Sequence, residues 1–81
     1  AAEEQKLATA KQKLAAAEQK LAAAEQKLDD AKRELAKNPN DPIAKDTYER
    51  AKRFSDTAQK GVTRAEEGVT TAQKGVASAQ M

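Results

Sequence analysis

The chain has no cysteine, no histidine and no tryptophan, and its 81 residues include one tyrosine and one phenylalanine. Without cysteine there is no disulfide to staple a small fold and no thiolate to act as a nucleophile. Lacking both histidine and cysteine, it has none of the usual zinc ligands beyond carboxylates, and no imidazole to activate a serine. Hydrophobic residues make up 38% of the chain, but most of these are alanine, which fills little volume. A globular core is therefore not expected, and chains this short need a staple, a partner or very regular packing instead. No stretch approaches the ~20 apolar residues that span a bilayer, and no leader pattern of a basic start followed by an apolar run occurs.

Charge of one sign is also lacking. Fifteen bases sit among 13 acids, giving a net charge of +2. Interspersed charges of this kind make a solvated helical surface rather than a nucleic-acid footprint, and stacking aromatics are missing as well. The carboxylates form no acid–base pair: Asp29 and Asp30 are adjacent and point to different faces, and Asp29 has Arg33 four residues on as a salt-bridge partner. Gly61, Gly68 and Gly75 are seven apart rather than gathered in a phosphate-binding loop. These absences lead to the expectation that the chain is not an enzyme and holds no cofactor or metal.

What the sequence has is periodicity. Leu7, Leu14, Leu21, Leu28 and Leu35 recur at strict seven-residue spacing, and the block AAAEQKL occurs twice. After Asn38-Pro39-Asn40-Asp41-Pro42 a second ladder follows, with Tyr48, Val62, Val69 and Val76 interleaved with Ala51, Ala58, Ala65, Ala72 and Ala79. Two heptad ladders either side of one break predict an all-α fold, an antiparallel two-helix coiled-coil hairpin. Helix one is expected over about 2–37, the loop over 38–42 and helix two over about 43–80, as a single unit cut from a longer protein. Pro39 and Pro42 push the residues before them out of the α region, and Asp41 is placed to cap helix two.

With the leucines at heptad position a, Ala10, Ala17, Ala24 and Ala31 fall at d, and antiparallel helices set a against d. The register that suits the loop faces Leu28 with Ala51, Leu21 with Ala58, Leu14 with Ala65 and Leu7 with Ala72. In return Ala31 faces Tyr48, Ala17 faces Val62 and Ala10 faces Val69. Each larger side chain then meets an alanine. The flanking pairs Glu25–Lys52 and Lys11–Glu66 are attractive in this register, whereas a shift by one heptad opposes Glu18 with Glu66 and Lys32 with Lys52. The three glycines face Lys20, Lys13 and Lys6, and Phe54, one heptad nearer the loop, faces Lys27. Two readings of the glycines stand: a gap in which lysine stems lie across the seam, or a smooth flank for lateral packing of a neighbouring helix. The alanines at Ala15, Ala16, Ala22 and Ala23 form an uncharged strip on helix one that also suits lateral contact, though helix propensity alone is the better single explanation of them.

From Ile43 onward the sequence IAKDTYERAKRFSDTAQKGVTRAEEGVTTAQKGVASAQ resembles the descending helix of bacterial periplasmic adaptor subunits. These are the membrane fusion proteins of tripartite efflux pumps and type I secretion systems. The family re-enters from its loop as Ile-Ser-x-x-x-Tyr/Leu-Asp-x-Ala. Here Ile43, Tyr48, Ala51, Ala58, Val62, Ala65, Val69 and Ala72 follow that pattern, and the leucine heptads match the ascending helix. The resemblance implies a periplasmic hairpin, part of an inner-membrane-anchored protein. Its flanks would pack on neighbouring adaptors, and its tip would contact an outer-membrane channel. The family's tip motif is an arginine, a leucine four residues on and a serine seven further. Without a gap, Arg33 matches the arginine while Lys37 and Ala44 replace the other two; with a loop two residues longer, Leu35 matches the leucine and Ala31 replaces the arginine. Arg33, Leu35, Ile43 and Ala44 are accordingly the expected tip contacts. A second class stays open: a structural or receptor-binding spacer, such as the hairpin of a colicin-like toxin or a designed rod, to which the repeated AAAEQKL blocks are suited.

Overall fold

Two helices, α1 over Ala2–Lys37 and α2 over Pro42–Gln80, make up the computed structural model, which describes residues 2–80. They fold back on one another into a rod whose extents are 62 × 13 × 12 Å. At ~1.5 Å per residue, the 39 residues of α2 account for nearly the whole length. The rod is thus one helix long and two helices thick.

The reversal is made by local chemistry. Pro39 cannot follow a helical residue without a clash, so α1 ends before Asn38. Asn38 closes the end of α1 on Glu34: its backbone N–H donates to the Glu34 carbonyl at 3.0 Å, and its side-chain amide donates to the Glu34 carboxylate Oε1 at 3.0 Å. The Asp41 N–H then donates to the Asn38 carbonyl at 3.1 Å, closing a four-residue turn with Pro39 in the second place, where its fixed φ is suited. No described residue needs a positive φ. Asp41 opens α2 as the sequence predicts, with Oδ1 accepting the Ile43 N–H at 2.9 Å and its carbonyl accepting the Lys45 N–H at 3.1 Å. Pro42, which has no N–H to leave unpaired, occupies the first helical position.

The seam follows the heptads. On α1 every leucine of the ladder is half-buried, Ala10 and Ala17 likewise, and Ala24 and Ala31 are buried. On α2 Val62 is buried, and Tyr48, Ala51, Ser55, Ala58, Ala65, Val69, Ala72 and Val76 are half-buried. Ala79 is exposed, because α2 is three residues longer than α1 and no described residue of α1 stands opposite it. The most buried positions are mainly alanines. A methyl group points straight into the narrow gap between the helices, whereas a leucine facing an alanine reaches past it to the edge of the seam.

Side-chain contacts support the register. Lys27 Nζ lies 5.6 Å from the centre of the Phe54 ring, the pairing expected when Leu28 faces Ala51. At the far end, a Cβ built on Gly75 would come 2.9 Å from Glu3 Oε2, which puts the two residues level. A shift by one heptad would set Phe54 against Glu34 and move the turn into α2. The expected cross-helix ion pairs do not close, however. Among the described residues the pairs within 4.0 Å are Lys6–Glu3, Arg33–Asp29 and Arg50–Asp46, all within one helix. Exposed pairs are worth ~0–1 kcal/mol. Charge signs on the flanks therefore select the register without fastening it.

Candidate functional site

The described residues form a rod whose surfaces lie open to contact. Among the described residues no helix is long and apolar enough to cross a membrane. Three surfaces stand out: the tip, and the two flanks where α1 and α2 meet.

At the tip, Ile43 is 76% exposed. An isoleucine this open is unusual in so polar a chain, and its backbone is not free, since its N–H is held by the Asp41 cap. Arg33, five residues before Asn38, is exposed and paired with Asp29 at 3.1 Å, a contact that contributes only ~0.5 kcal/mol or less and yields readily to a partner. The other two expected tip residues are placed differently. Leu35 is half-buried, and Ala44 is buried at 4% exposure. Ala44 is seven residues before Ala51 and stands opposite Leu35, so the pair continues the seam to its last turn. With its methyl group turned inward, Ala44 has no side chain to offer a partner; the tip surface consists of Ile43, Arg33 and the turn itself.

The first flank carries Lys6, Lys13, Lys20 and Lys27 on α1, against Phe54, Gly61, Gly68 and Gly75 on α2. The lysine stems do not lie across the glycines: around the Cβ position of Gly61 and of Gly68 there is nothing within 4 Å. Extended into water, a lysine keeps its rotamer freedom and its hydration, which two-helix packing gives it no reason to surrender. Gly75 alone is covered, by the Glu3 carboxylate. Shallow concavities follow one another along this flank. One is floored by Gly68 beside Lys6 and Lys13, and the next by Gly61 beside Lys13 and Lys20, ending on Phe54. A third lies on the tip side of Phe54, bordered by Lys27, Glu34 and Thr47. Phe54 is 53% exposed and stands as a ridge between them.

The opposite flank is different in character. Glu18, Glu25 and Glu66 border one concavity with Leu14, Leu21 and Val62. Toward the tip the same flank carries Lys32, Lys45 and Lys52, and Lys11 lies among its acids farther back.

The heptad pattern sufficed to place Ala44 in the seam; the resemblance to the tip motif pointed the other way. The exposed Ile43 was found through that same resemblance. No protein-family model matches the chain, and neither a curated protein nor a solved structure matches it at a significant level.

Proposed function

We propose that the chain is a non-enzymatic coiled-coil hairpin of a periplasmic adaptor in a tripartite efflux or type I secretion system. Its tip contacts an outer-membrane channel and its flanks pack on neighbouring adaptors. The observation that carries this reading is Ile43, 76% exposed at the end of a 62 Å rod. An apolar side chain held out by a capped helix start suits contact with another protein better than water. The Ile43–Ala72 pattern supports the family, and a stiff hairpin supports the mechanical role, because a rod transmits contact from one end to the other without a cavity or a hinge.

The test is Ile43→Asp combined with Arg33→Asp in the full-length adaptor. The account expects loss of efflux or secretion with the adaptor present at its normal level. Transport unchanged by both substitutions would overturn the tip assignment. The burial of Ala44 favours a second reading, since it removes one position of the family's tip motif: a receptor-binding hairpin of a colicin-like toxin. In that case the same two substitutions abolish receptor binding and leave transport untouched.

A further inference from the structure

Lys6, Lys13, Lys20 and Lys27 form a straight row at ~10.5 Å intervals, two helical turns each. Among the described residues only Lys6 has an acid within 4.0 Å, Glu3 at 3.8 Å. The facing wall of α2 contributes no charge between Thr47 and Gly75 at the matching heptad positions. This side of the rod is therefore a trough with a lysine wall, a facing wall whose bordering charge is Arg64 beside Gly68, and an open floor. Phe54, with Lys27 above its ring at 5.6 Å, closes it toward the tip.

We propose that this trough is a docking groove for an acidic amphipathic helix of another protein, laid between Phe54 and Gly75 as a third helix of the rod. The span is three heptads, ~32 Å, long enough for a helix of ordinary size. Charge complementarity specifies the occupant: one acidic residue every seven, each level with a lysine of α1. Between those acids the occupant presents small or apolar side chains, which reach the space left open over Gly61 and Gly68. A third helix also covers the alanine edges, Ala10 and Ala17 on α1 and Ala58 and Ala65 on α2, that border this flank and that two helices leave half-buried.

A second copy of the chain fits less well. The same flank would bring lysine against lysine. The opposite flank carries Lys11, Lys32, Lys45 and Lys52 among its acids, and so meets the row with repulsion at several levels. This inference stands independently of the tip reading; on the lysine side it replaces the packing of copies proposed above and leaves the opposite flank for neighbouring adaptors.

The experiment uses the full chain and a fluorescein-labelled helical peptide of about three heptads, with glutamate at each seventh position and a leucine/alanine face beside it. Its control is the same peptide with lysine in place of glutamate. Fluorescence anisotropy is expected to show saturable binding of the acidic peptide alone, weaker as salt rises. Lys13→Glu with Lys20→Glu is expected to weaken binding by about tenfold or more. Gly61→Gln with Gly68→Gln leaves the charge unchanged and favours the helix, yet fills the floor, and is expected to weaken binding by a similar factor. Circular dichroism checks that each variant keeps its helicity. Four results would overturn the proposal. One is no saturable binding, and another is equal binding of the lysine peptide. A third is indifference to the glycine substitutions, which reduces the flank to a general polyanion surface. The last is self-association of the chain that the lysine reversals abolish, which assigns the flank to a second copy.

Discussion

Ala24 has no solvent exposure at all and stands opposite Ser55, in the middle of the rod where the helices have least room to separate. Replacing it with leucine would add three heavy atoms to a gap that holds a methyl group. Overpacking of this kind costs about 1–3 kcal/mol, which for a chain of this size lowers the melting temperature by ~4–8 °C per kcal/mol. Ala24→Leu is expected to show that loss by thermal circular dichroism, while Ala23→Leu, at an exposed neighbour, stays within about 0.5 kcal/mol of the parent. Equal melting of the two variants would mean that the seam is not where the heptads put it. At this scale the sequence was legible wherever spacing decided the matter. Ala24, Ala31 and Val62 were all assigned to heptad seam positions, and the Asp41 cap follows from an acidic residue before a proline. Side-chain conformation was not legible in the same way. Lysine stems and cross-helix ion pairs depend on differences of a few tenths of a kcal/mol between competing rotamers, and residue spacing carries no record of those.

Along each helix, stability is uneven. α1 is built from alanine, leucine, glutamine, glutamate and lysine, the strongest helix formers. The second half of α2 contains three glycines, three valines and three threonines, and there Thr63 and Thr70 turn their hydroxyls back to the Gln59 and Glu66 carbonyls at 3.2 and 3.1 Å. Such bonds compete mildly with the helix. Because nothing lies within 4 Å of a Cβ at Gly61 or Gly68, alanine fits at both without any neighbour moving. Each of Gly61→Ala and Gly68→Ala is expected to stabilise the chain by about 1 kcal/mol, with the two effects additive, as urea titration would measure. Gly75→Ala is expected to gain less, since Glu3 must swing aside. No gain at Gly61 or Gly68 would mean that the backbone there departs from a regular helix. The glycines were visible in the sequence as an anomaly at fixed spacing. Whether they were covered was not, since that depends on where flexible neighbours settle.

For the molecule as a whole, helix number, break and pairing direction were legible because one pentapeptide holds both prolines and separates two ladders of equal phase. The extent of the seam was less so: Ala79 belongs to the pattern and finds no described partner. The tip depends on the hairpin being intramolecular. The tip exists only where the chain turns, and the flanks exist only where α1 and α2 lie side by side. An opened chain in which α1 and α2 continue as one helix would pair with another copy, keeping the flanks between chains and losing the tip. The absence of native cysteine makes this directly measurable, since cysteines introduced at Gln5 and Lys74, both on the outer face and level with each other across the rod, can be spin-labelled cleanly. Double electron–electron resonance on this pair, with and without an excess of unlabelled chain, is the decisive measurement. The account predicts one short distance, set by the rod's 13 × 12 Å cross-section plus the label linkers, unchanged by dilution into unlabelled chain. A distance beyond the rod's 62 Å length, or a short one that disappears on dilution, would contradict it.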